Sequence, residues 1–164
     1  MESIIHDAQG FIHTLFAIVA LITGLYILFT VKGTRIHKKV GYVYALSMLG
    51  LNVTAFMIYR LFDGFAVFHW LALVSLITVT AGMIPVMLRK PKGYVTLHLN
   101  FMYWSVAGLY SAFVAEIFTR VPFILNMPDS QGLFGILTGV STALVMIVFT
   151  FFYMKYKSRW EAIS

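Results

Sequence analysis

The chain contains no cysteine. That excludes disulfides, thiolate metal ligands, covalent c-type haem attachment and cysteine-held iron–sulfur clusters. Charge is also scarce: only 11% of the 164 residues are Asp, Glu, Lys or Arg, and six of them are acidic. Against that stands a hydrophobic content of 60% and a mean hydropathy of +0.88, more apolar surface than a soluble domain of this size can hide. The net charge of +6 does not read as a nucleic-acid footprint, because the cations sit at the ends of apolar segments and form no binding face. There is no repeat, linker or low-complexity segment, so residues 1–164 read as a single transmembrane domain. The opening MESIIHDAQG lacks a basic n-region, and the expectation is that the run from Phe11 is a retained span and not a cleaved signal.

Five apolar stretches are long enough to cross a bilayer: Phe11–Val31, Val40–Phe62, Ala66–Leu88, Leu97–Thr119 and Leu133–Tyr153. Each is expected to be helical, since only a helix satisfies its own backbone in lipid. Pro122, Pro128 and DSQG predict a loop over Arg120–Gly132. The fold expected is an all-α integral membrane protein of five transmembrane helices. Four form an antiparallel core, and the fifth, which has no ionisable group before Tyr153, lies beside it.

The basic residues orient the chain. Lys32, Arg35, Lys38, Lys39, Arg89, Lys90, Lys92, Lys155, Lys157 and Arg159 fall on one side, and only Arg60 and Arg120 on the other. The positive-inside rule then predicts an outer N-terminus and a cytoplasmic C-terminus.

With that orientation the titratable residues sort into two layers. His13 opens the first span, His69 the third, and Glu116 closes the fourth, all toward the outside. His37 precedes the second span and His98 opens the fourth, both inside amid lysines. His98 and Glu116 share one helix face with Met102, Ser105, Leu109 and Ala112, and about 27 Å of helix rise separates the two. Ionisable residues in spans are expensive to bury and point to function. Two imidazoles and one carboxylate from three helices suit a transition-metal ion such as copper, zinc, iron or manganese. An open coordination position there would serve a redox reaction on a small oxygen species or a quinone-like molecule. Arg60 or Arg120 would draw an anionic substrate toward that outer site.

Two other readings use the same residues. In an up-and-down bundle, helices one and three are diagonal, as are two and four. His13 with His69, and His37 with His98, then make two bis-histidine sites for b-type haem, with Gly24, Gly41 and Gly108 leaving room for the macrocycle. Such a protein would carry electrons across the bilayer from a membrane donor. A proton or small-solute transporter would instead use His98, Asn52 and Glu116 as stepping sites. Its weakness is that no span is broken by proline at its middle. Each residue also has a plainer use. His37 can meet anionic lipid, His98 can cap its helix, Glu116 can pair with Arg120 four residues on, and Asn52 can make an interhelical hydrogen bond.

Ile36–Met48, IHKKVGYVYALSM, and His98–Glu116, HLNFMYWSVAGLYSAFVAE, carry further information. His37, Lys38, Gly41 and Tyr44, then His98, Met102 and Ser105, together with the upstream His13, resemble a family of small bacterial membrane proteins catalogued as domain of unknown function 2306. The resemblance covers the first four spans. It implies a multi-helix membrane domain, by expectation in a bacterial cytoplasmic membrane, with functional histidines and no stated activity. Other members often carry Arg at the position of Glu116, which would confine a Glu116 site to a subgroup. If His13, His69 and Glu116 hold a metal ion, alanine at any of the three lowers the metal found per chain by elemental analysis. Unchanged stoichiometry in all three variants would remove that site.

Overall fold

A computed structural model of the chain describes residues 8–58, 67–124 and 130–161. Five helices lie among them: α1 (Ala8–Phe29), α2 (Arg35–Ala55), α3 (Val67–Leu88), α4 (Tyr94–Ile124) and α5 (Ser130–Glu161). Four are long and apolar enough to cross a membrane, over Ala8–Phe29, Phe68–Leu88, Tyr94–Phe118 and Gly135–Trp160. The exception is α2. It starts five residues before the expected Val40 and takes Arg35, Lys38 and Lys39 into its first turns, and it stops at Ala55, short of the expected Phe62, where the Phe56 N–H closes the last turn on the Asn52 carbonyl; Phe62 itself lies outside the described residues. The early start has a local cause: the Thr34 side chain accepts the His37 backbone N–H at 3.1 Å and caps the helix. Gly33 precedes it with φ 77°, a left-handed conformation that glycine adopts without penalty.

The predicted loop at Arg120–Gly132 is shorter than expected. Helix α4 continues through Pro122 to Ile124, and α5 begins at Ser130. At α3 the helix stops in a Schellman turn: Arg89 takes φ 54° and the Lys90 N–H reaches back to the Pro85 carbonyl at 3.2 Å.

The chain divides into two compact units, Met1–Tyr103 and Trp104–Ser164, with α4 contributing to both. In the first unit, α2 packs along α1 and against α3. Each helix has a clear inside. On α1, Ala20, Gly24 and Ile27 are buried while Phe11, Leu15, Ile18, Ile22, Leu25 and Phe29 form an exposed stripe at spacings of three and four. An outward apolar stripe of that length is stable in hydrocarbon and not in water. On α2, Tyr44, Met48 and Asn52 are buried in line with His37 and Gly41, and Ser47, Gly50 and Thr54 occupy the side toward α1. On α3 the buried stripe is His69, Ala72, Val79, Gly82 and Pro85.

In the second unit, α4 and α5 run antiparallel, with Trp104 against Tyr153 at 5.4 Å between ring centroids and Tyr110 against Phe149 at 6.1 Å. Among its described residues α5 buries only Ser141. Its last turns carry stacked aromatics, Phe152 on Tyr156 and Tyr156 on Trp160, interleaved with Lys155, Lys157 and Arg159, the pairing expected at a membrane–water boundary.

Gly50 sets how closely α1 approaches α2. A Cβ there would lie 2.6 Å from the Phe16 ring, which cannot yield as a flexible chain end can. Gly50→Ala is expected to cost about 1–3 kcal/mol through overpacking, read as a lowered midpoint of thermal unfolding in detergent. Adding Phe16→Leu should restore part of the loss.

Candidate functional site

Three histidines of the first unit have their surroundings defined by hydrogen bonds or ring contacts. His98 is the fifth residue of α4, and its Nδ1 lies 2.8 Å from the Gly82 carbonyl of α3. A carbonyl can only accept, so Nδ1 carries the hydrogen and the second ring nitrogen, Nε2, holds the lone pair of the neutral ring. The contact depends on close helix approach. A Cβ on Gly82 would stand 2.7 Å from the Met102 sulfur and 3.2 Å from the Phe101 Cβ. Pro85, three residues on, has no N–H to close the helical ladder and loosens the same turn.

His37 lies in the first turn of α2, ahead of the apolar run, and its ring centroid is 6.4 Å from that of His98, with the ring planes at 88°. Its Nδ1 is buried and has no hydrogen-bond partner among the described residues. Burial, and after it the positive charge of Lys32, pushes His37 down to about 4. The ring is therefore neutral near neutral pH, the form in which imidazole binds metals. Lys32 donates to the Ile27 carbonyl at 2.5 Å and the Leu28 carbonyl at 2.8 Å, closing the C-terminal end of α1. Burial pushes it down to about 8.

His13 is tied to α2 in the same manner. Its Nδ1 is 2.9 Å from the Thr54 hydroxyl. That hydroxyl has one hydrogen, for which the Gly50 and Leu51 carbonyls at 2.8 and 2.9 Å compete with the ring nitrogen. His69, third in α3, is 4% exposed and sits at the same end of the unit as His13. Asn52 is 3% exposed, and its amide Nδ2 has no hydrogen-bond partner among the described residues.

The remaining candidates fall elsewhere. Glu116 belongs to the second unit and is exposed, and the face it shares with His98 is buried at Met102, Ser105 and Leu109 before opening at Glu116. Arg60 and the side chain of Arg120 lie outside the described residues. Among the described residues no group of three or more His, Cys, Asp or Glu side chains is gathered as a metal ion requires. The structure thus brings His37 and His98 together. Sequence reasoning missed Lys32, Thr54 and Gly82. A lysine just past an apolar run and a threonine one helix end from a histidine are faint signals, and the Gly82 carbonyl leaves none.

The family profile described as predicted membrane protein (DUF2306) matches residues 10–153. No curated protein and no solved structure matches the chain.

The depressed His37 has a measurable consequence. Above the ordinary histidine value of 6.5 the folded and unfolded rings are both neutral. Between there and about 4 the unfolded chain takes a proton that the folded ring refuses, so stability falls as the pH falls through that window. Thermal unfolding followed from pH of about 7 down to about 4.5 should show a smaller loss in His37→Gln than in the wild type.

Proposed function

We propose that the chain, which belongs to the family of predicted membrane proteins described as DUF2306, is a membrane electron carrier holding a b-type haem between His37 and His98. The observation that carries this reading is the 6.4 Å separation of the two ring centroids. Two imidazoles that approach one metal atom from opposite sides, at roughly 2 Å per metal–nitrogen bond, would have their centroids about 6 Å apart. The donor chemistry supports it. His98 is held by a carbonyl at Nδ1, the outer-shell bond that fixes a ligating ring and leaves Nε2 for the metal. His37 stays neutral across the physiological range. One turn beyond His37, Gly41 would meet nothing within 4 Å if it carried a Cβ, so space for a flat ligand remains on that face. The absence of cysteine confines any haem to non-covalent, histidine-ligated binding.

When bound, the haem would supply one-electron chemistry. The protein's own part is to orient the two rings, to hold them deprotonated, and to keep the group at the boundary that the basic residues assign to the cytoplasmic side. The alternative of a copper, zinc, iron or manganese ion on His13, His69 and Glu116 has no comparable geometric support, since no three such side chains gather among the described residues. A second haem on His13 and His69 draws support from the His13–Thr54 bond, which fixes that ring as the Gly82 carbonyl fixes His98.

The test is an absorption spectrum with iron analysis on detergent-purified protein from cells supplied with haem precursor. A Soret band that shifts on reduction, and that is lost or halved in His37→Ala and His98→Ala but kept in Arg159→Gln, is the expected result. A colourless, iron-free wild type would overturn the haem reading.

A further inference from the structure

We propose that Lys32 binds a carboxylate arm of the group held by His37 and His98, and so anchors that group at the end of α1. The inference rests on the haem reading above. Its starting point is a cation with no counter-charge among the described residues of its unit. Residues 8–58 and 67–103, the described part of the first unit, contain no Asp or Glu at all, yet they hold Lys32, Arg35, Lys38, Lys39, Arg89, Lys90 and Lys92. Six of these seven are exposed, and water compensates them. Lys32 is partly buried, and its ammonium is drawn back onto the Ile27 and Leu28 carbonyls. An ammonium has three donors, and those two carbonyls use two. The third is available to an outside acceptor.

The position is specific. Lys32 stands in the turn between α1 and α2, two residues before Thr34, whose side chain holds the His37 backbone N–H, and His37 in turn is the ring beside His98. A ligand seated between the two imidazoles therefore sits within the field of this one desolvated cation. A b-type haem has a nitrogen-binding metal at its centre and two propionate carboxylates at its edge. It satisfies both features at once: imidazole nitrogens for the iron, and a charge-assisted hydrogen bond for one propionate. The phosphate of an anionic lipid satisfies the lysine alone and leaves the paired histidines unexplained.

The charge also has an electronic effect. A propionate neutralised by Lys32 donates less negative potential to the iron, which favours the reduced state. Removing the ammonium leaves that carboxylate uncompensated and favours the oxidised state.

The experiment compares wild type, Lys32→Gln, Lys32→Arg and Lys92→Gln as full-length protein in lipid nanodiscs. Haem retention is measured by transfer to apomyoglobin, and the midpoint potential by redox titration. Lys32→Gln is expected to release haem about tenfold faster and to have a lower midpoint potential, with Lys32→Arg and Lys92→Gln close to wild type. Lys32→Met, which keeps an apolar stem against the end of α1, replaces Lys32→Gln if that variant fails to accumulate, with the same expectation. A haem-free wild type overturns the haem reading and this inference with it. Haem-loaded wild type and Lys32→Gln with equal retention and equal potential overturn this inference alone. A wild-type potential that moves with the charge of the nanodisc lipid, and ceases to do so in Lys32→Gln, assigns Lys32 to a lipid phosphate and overturns it as well.

Discussion

The hydrogen bond from His98 Nδ1 to the Gly82 carbonyl is the contact on which the pairing of His98 with His37 depends. An imidazole among apolar helices must place its N–H on an acceptor, because a buried donor left without one loses its hydration and regains nothing. The chain meets that demand with a backbone carbonyl of a neighbouring helix, and this has three structural requirements. The helices must approach closely, which the missing side chain at Gly82 permits. Met102 and Phe101 must fill the space beside it. The ring must then present its other nitrogen elsewhere, and His37 is the neighbouring ring.

His13 is likewise tied to a neighbouring helix, through the Thr54 hydroxyl. Both rings are therefore held by groups with no acid–base chemistry of their own. This differs from a site built on a carboxylate, where the partner's charge would raise the histidine's proton affinity. At His37 the surroundings act the other way: burial and nearby lysine oppose protonation. A neutral imidazole held by neutral partners in a basic setting is suited to ligation, and poorly suited to accepting a proton for transport.

The inner and outer layers differ in how much their chemistry depends on tertiary contacts. Depth along the helices was legible from hydropathy and basic residues, and it placed His13, His69 and Glu116 in one stratum and His37 and His98 in another. Depth is one coordinate only. It ignores where each side chain points around its helix and which helices adjoin. Glu116 lies at the end of its face that is exposed, whereas His98 lies at the end that packs against Gly82. The pair that looked weaker on the sequence, set among lysines, therefore has the better-defined geometry. The lysines that made it look like a lipid-facing basic patch include one that is partly buried and folded back onto α1.

Composition and periodicity by themselves determined that the protein is helical and built for a membrane, because apolar runs in lipid leave the backbone no alternative. They also placed most helix ends within a few residues. They missed both ends of α2, which a threonine caps ahead of Arg35 and which stops at Ala55, and the last turns of α4 and α5, where helix continues through Pro122 and on to Glu161. Only the tertiary structure decided which histidines meet, and that the Gly82 carbonyl takes the Nδ1 hydrogen of His98. Those outcomes depend on contacts between residues far apart in the chain, such as Gly82 with His98 and His13 with Thr54. One of the deciding groups is a backbone carbonyl, which every residue possesses and no residue type announces.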